Sequence, residues 1–170
     1  MNITEQEFSQ LIADNEGRLR NLCRVYADSE ADQEDIFQEI LIQIWHSLPS
    51  FNGNAEIGTW IYRLAINTAI SFARKKQTRQ KYRSKFKDQQ ESKPNRGIIS
   101  QESEDQQVVT LYNAISEINP SEKAIITMYL EDFSYAEISF VTDISENYVG
   151  VKLHRIKKKL SNIIEEENEA

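Results

Sequence analysis

Apolar residues recur at spacings of three and four along most of the chain, the repeat of an amphipathic α-helix. In residues 35–48 the repeat is Ile36, Phe37, Ile40, Leu41, Ile44 and Leu48. From Thr59 onward it is Ile61, Ala65, Ala69, Phe72 and Ala73, with small residues that suit close packing. Near the C-terminus it is Val149, Leu153, Ile156, Leu160 and Ile163. The pattern predicts one or two helices over 4–26, then helices over 31–48 and 59–81. It predicts four more near 107–117, 121–130, 135–141 and 146–165. Pro49 and the Asn52, Gly53, Asn54 run break the chain between the second and third.

Residues 87–107 interrupt the pattern. They are polar, carry Pro94 and Gly97, and offer only Ile98 and Ile99 for burial. Such a stretch cannot offset its ordering entropy by apolar burial. The expected architecture is therefore all-α. Two small helical domains, 1–88 and 106–170, flank a flexible linker at 89–105.

Local signals sharpen the C-terminal domain. Ser134 followed by Glu137 is a capping box, and Phe133 with Ile138 has hydrophobic-staple spacing. Ser145 is the expected N-cap of the last helix, with Ile144 and Val149 as staple partners. The short turn around Thr142 and Asp143 joins two helices as a helix-turn-helix. Asp143 is a residue type that tolerates a left-handed turn.

Charge changes the picture. The chain has net charge −7, yet residues 57–87 carry nine bases and no acid, and residues 147–164 carry five bases and no acid. Residues 1–56 carry eleven acids and three bases. Polyanion binding needs local positive potential, which the total charge hides. On the last helix Tyr148, Lys152, Arg155 and Lys159 share a face distinct from the apolar stripe, with Asn147 at the front. A lysine run alone reads as a solvated face. Joined to a capped short helix and a tight turn, it reads as a helix that enters a major groove. Four acids follow in the C-terminal tail, placed to screen the Lys157, Lys158, Lys159 run or simply to solvate the end.

In the third helix Trp60, Arg63, Asn67, Ser71 and Arg74 fall together. An aromatic ring aligned with cations suits unpaired bases and their phosphates; a buried Trp60 is the plain alternative. In the second helix Asp35, Gln38, Glu39, Ile42 and His46 lie opposite the apolar stripe. An isoleucine among acids is either a stray surface residue or part of a protein-docking patch.

One cysteine, Cys23, and two distant histidines, His46 and His154, offer no disulfide framework and no metal-ligand spacing. No P-loop is present, so no cofactor and no enzymatic chemistry are expected. The start of the chain lacks a signal-peptide pattern and no apolar run reaches membrane-spanning length, which makes the cytoplasm the expected compartment.

Three stretches, in this order, resemble the bacterial sigma factors of the extracytoplasmic-function group. "DQEDIFQEILIQIWHSLPSF" is similar to the family helix that docks on the clamp of core RNA polymerase. "TWIYRLAINTAISFARKK" is similar to the helix that melts and reads the −10 promoter element. "INPSEKAIITMYLEDFSYAEISFVTDISENYVGVKLHRIKKKL" is similar to the domain that reads the −35 element. The resemblance implies polymerase contacts at Asp35, Gln38, Glu39 and Ile42. For the −10 element it implies Trp60, Asn67, Arg74 and Lys75, beside the Arg63 and Ser71 of the same face. For the −35 element it implies Asn147, Tyr148, Lys152 and Arg155, with Lys159 further along the same face. Core RNA polymerase and promoter DNA are the implied partners, and an anti-sigma partner is left open.

The chain departs from the family at three places. Asp143 and the Asn147, Tyr148 pair stand where glycine and Gly-Thr are common. Gly150 stands where a base is common. The alternatives are a stand-alone helix-turn-helix regulator, which leaves residues 57–87 and Ile42 without a role, and a small helical nuclease, for which no carboxylate cluster flanks either basic segment.

Overall fold

The computed structural model describes residues 3–86 and 106–169, without the side chains of 84–86 and 168. The expected linker at 89–105, with Pro94, Gly97, Ile98 and Ile99, lies outside the described residues. The chain divides into two compact units, 1–98 and 99–170. All regular structure among the described residues is helical.

The first unit holds α1 (Glu5–Tyr26), α2 (Glu30–Ser47), a single 3₁₀ turn (Leu48–Ser50) and α3 (Ile57–Phe86). Thr4 caps α1 in a full capping box with Glu7, so 4–26 is one helix. Ser29 caps α2 through the Asp32 N–H. Pro49 confines the end of α2 to a 3₁₀ turn, and Gly53 takes φ +78, a left-handed conformation that favours glycine. The three helices pack pairwise. Leu19, Leu22, Ile36, Ile40, Ile44, Ile61, Ala65 and Ala69 are fully buried between them.

The buried sector of α3 is wider than the apolar repeat suggests. Tyr62, Ile66, Thr59 and Thr68 are buried too, whereas Phe72 and Ala73 are only half-buried. From residue 77 to residue 83 every α3 side chain is exposed. The helix has left the bundle there and continues past residue 81 as a cationic rod.

The second unit holds α4 (Gln106–Glu117), α5 (Pro120–Leu130), α6 (Tyr135–Thr142) and α7 (Glu146–Glu169), with α7 packed on the other three. Ser134 and Glu137 form the expected capping box, and Phe133 and Ile138 are both buried beneath it. Ser145 Oγ accepts the Tyr148 N–H at 3.3 Å, which starts α7. Asp143 is left-handed at φ 56, ψ 30. The Ser139 hydroxyl donates to the Ile144 carbonyl across this turn and so pins the two helices. A second left-handed aspartate, Asp132 at φ 60, turns α5 into α6. Val149, Leu153, Ile156 and Leu160 are buried; Ile163 is half-buried.

Candidate nucleic-acid interface

Successive α-helical residues turn by about 100°. On that wheel the mean direction of the four buried residues of α7 points into the unit, and Asn147, Val151 and Lys158 lie about 150–170° away from it. Asn147, Val151 and Arg155 are one turn apart and all exposed. They form the outermost ridge of the helix. Tyr148, Lys152 and Lys159 sit roughly 70–110° from the buried direction, along one flank. The Lys152 ammonium lies 5.5 Å from the Tyr148 ring centroid. Val151 is thus a residue that counting polar positions passes over; a wheel of the whole helix would have found it.

Two of the lysines are held from within the unit. The Lys159 ammonium donates to Glu122 Oε2 at 3.0 Å. Glu122 also closes the capping box of α5 with Asn119. Burial works against its charge, but the Lys159 bond and the Asn119 backbone N–H outweigh it, so the carboxyl stays below its ordinary pKa. Lys157 lies 3.9 Å over the Tyr129 ring, a cation–π contact on the opposite flank. The acidic tail does not fold back, because α7 continues as helix through Glu166 and Glu167 and carries them away from the lysines. Gly150 faces Tyr135, whose Cε2 lies 3.4 Å from where a Cβ would stand. The close approach at this glycine is to an aromatic ring of α6.

On α3 the expected face is outward. Asn67, Ser71, Arg74 and Lys75 are exposed, and Trp60 and Arg63 are half-buried. Trp60 is fixed against Phe51, with ring centroids 5.1 Å apart, and keeps part of its indole accessible. Ser71, Arg74, Lys75, Thr78 and Arg79 line an open groove along the helix. The two adjacent lysines differ. Lys75 points outward and makes a loose pair with Glu39 at 3.5 Å. Lys76 points inward and bonds both Asp28, at 2.9 Å, and Asp32. Burial disfavours both charges of the Lys76–Asp32 pair. The mutual bond overrides this, so Asp32 titrates below and Lys76 above the ordinary value.

On α2, Asp35, Gln38 and Ile42 are exposed and Glu39 is half-buried. Ile42 is 54% exposed and lies diametrically opposite the buried stripe. Trp45 extends this patch. It is exposed on one side and meets Phe8 of α1 edge-to-face at 4.9 Å. The sequence reading missed it, although its position beside Leu41 and Ile42 signals a second outward apolar group. Arg20 lies 4.2 Å over the Phe37 ring and bonds Glu16 and Glu34, tying α1 to α2.

Among the described residues, no group of three or more His, Cys, Asp or Glu side chains is arranged to hold a metal ion. No helix among them is long and apolar enough to cross a membrane.

The sigma-70 region 2 family model matches residues 11–79, which spans most of α1 through α3. The sigma-70 region 4 model matches residues 109–160, which spans α4 through most of α7. The chain is 25% identical over 182 residues to the ECF RNA polymerase sigma-E factor of Haemophilus influenzae, with 95% of this chain and 89% of that protein covered. It is 24% identical over 173 residues to the sigma-E factor of Escherichia coli, covering 95% and 88%. The fold is similar to the sigma factor RpoE of Bartonella quintana, solved with the anti-sigma factor NepR, at TM-score 0.75 and 16% identity. That match covers 94% of this chain and 98% of RpoE. It is also similar to CnrH, solved with the cytosolic domain of CnrY, at TM-score 0.68 and 18% identity, covering 95% and 90%. With a region 2 match followed by a region 4 match, the chain belongs to the sigma-70 family of RNA polymerase sigma factors, in its extracytoplasmic-function group.

Proposed function

We propose that this sigma factor, which directs promoter-specific initiation by core RNA polymerase, divides its work among three surfaces. The outer face of α2, with Asp35, Gln38, Glu39 and Ile42, docks on the polymerase, and Trp45 enlarges its apolar part. The α3 face, with Trp60, Arg63, Asn67, Ser71, Arg74 and Lys75, holds strand-separated −10 DNA; the ring stacks on a base and the cations meet phosphates. The ridge and flank of α7, with Asn147, Tyr148, Lys152, Arg155 and Lys159, hold duplex −35 DNA. In this reading residues 1–88 and 106–170 are the two functional domains and residues 89–105 the tether.

The observation that carries the proposal is the coincidence of each family match with a helical stretch that carries bases and no acid, 57–83 of α3 and 147–164 of α7. The factor works without a cofactor or a reaction of its own, in the compartment that holds the polymerase and the chromosome, the cytoplasm. A regulatory partner of the anti-sigma kind fits the same reading, since one structural relative is bound to such a factor.

Adding the chain to core polymerase and a promoter template tests it. Transcripts from a defined start, only when the chain is present, are expected. DNA retention without transcripts would favour a stand-alone regulator instead, and cleavage products a nuclease.

A further inference from the structure

Val151 stands apart on α7. It is 45% exposed and lies on the outward ridge, about 170° from the buried direction. Asn147 stands one turn before it and Arg155 one turn after it. A β-branched residue gains nothing on a solvated helix surface, where its stiff side chain lowers helix propensity. Its neighbours on the ridge are the residue types that pair with adenine and guanine edges. The major groove holds one apolar group that distinguishes a base pair, the C5-methyl of thymine.

We infer that Val151 reads a thymine methyl in the −35 duplex, between the bases met by Asn147 and Arg155. The inference rests on the proposed role of α7 as the duplex-reading helix. The side chain is short, apolar and directed outward from the unit. Tyr135 lies over Gly150, on the flank beside this ridge. The contact removes from water an apolar surface of about one methyl group, worth about three- to fourfold in affinity.

The test uses the full chain assembled with core polymerase. A randomised duplex pool is selected for binding, and the upstream motif of the enriched sequences is taken forward. Each thymine of that motif is then replaced singly by uracil, which keeps every hydrogen-bonding group and lacks only the methyl. Binding is compared for the wild type, Val151→Ala and Val151→Ser, with circular dichroism checking helix content.

One or two thymines are expected at which the swap weakens wild-type binding about three- to fourfold. The same swaps should leave both variants unchanged. Uracil swaps that act equally on all three proteins, or an upstream motif without thymine, overturn the inference and leave the reading of α7 standing. A pool that yields no enriched duplex removes that reading and the inference together.

Discussion

Two neighbouring lysines on α3 face different ways, Lys75 outward and Lys76 inward, and replacing each by methionine separates the proposed DNA contact of the first from the structural pairing of the second. Lys76 is 29% exposed and its partner Asp32 16%, while Asp28 is 48% exposed and screened by solvent. Exposed ion pairs contribute about 0–1 kcal/mol, and breaking a buried pair costs about 3–5 kcal/mol. Lys76 lies between these limits. Methionine keeps most of the aliphatic stem, so Lys76→Met should destabilise the first unit by about 1–3 kcal/mol, chiefly by leaving Asp32 without its cation.

Lys75 is 63% exposed and 3.5 Å from Glu39, so Lys75→Met should change stability by less than about 0.5 kcal/mol. Instead it should weaken single-strand binding and lower the salt slope by about 0.7 if one phosphate contact is lost. Both tryptophans, Trp45 and Trp60, lie in the first unit, so urea unfolding followed by their fluorescence reports that unit alone. A midpoint lower by roughly 0.3–3 M urea is expected for Lys76→Met, the loss of about 1–3 kcal/mol divided by an m-value of about 1–3 kcal/mol/M.

The pH dependence has a definite sign. Asp32 is held below its ordinary value of 3.8, so its contribution is complete above that pH and fades as the pH falls through the lower folded value. Lys76 is held above its ordinary 10.5, so its contribution is complete below that pH and is lost as the pH rises through the higher folded value. The gap between wild type and Lys76→Met is therefore flat near neutrality and narrows below pH 3.8. Equal midpoints at pH 7, or a gap that does not narrow in acid, would refute the assignment of Lys76 as a structural strut.

Reversing charge at Asp35 and Glu39 to lysine should weaken association with core polymerase while duplex binding by the second unit persists; surface plasmon resonance with each ligand reads both, and unchanged polymerase affinity removes the docking face. Arg155→Ala should weaken duplex binding by about 1–3 kcal/mol if the guanidinium makes a bidentate base contact, with no loss of thermal stability because the side chain is exposed. A salt titration that superimposes on the wild type would remove Arg155 from the proposed duplex contact. Gly150→Ala adds a Cβ at van der Waals distance from Tyr135 and recovers helix propensity, so calorimetry should show the second unit more stable by up to about 1 kcal/mol. Thr127→Val should also stabilise that unit, by about 1 kcal/mol, because the buried Thr127 hydroxyl has no hydrogen-bond partner among the described residues.

The sequence by itself determined everything that depends on neighbours three or four positions apart. The helical repeat, the Ser134 and Ser145 caps, the left-handed Asp143 and the outward direction of Ile42 are all local consequences of backbone geometry. Tertiary structure alone decided which charges are spoken for. Lys76 finds Asp32 across 44 positions and Lys159 finds Glu122 across 37. Trp45 meets Phe8 and Tyr135 covers Gly150 only because particular helices lie side by side, and Trp60 meets Phe51 because the α2–α3 connection folds onto α3. The basic runs 74–76 and 157–159 look uniform in one dimension. Helical rotation points successive residues about 100° apart, so one lysine of each run meets solvent while another meets a carboxylate or an aromatic ring. Which lysine does which depends on the packing of the neighbouring helices, and that is a property of the assembled core.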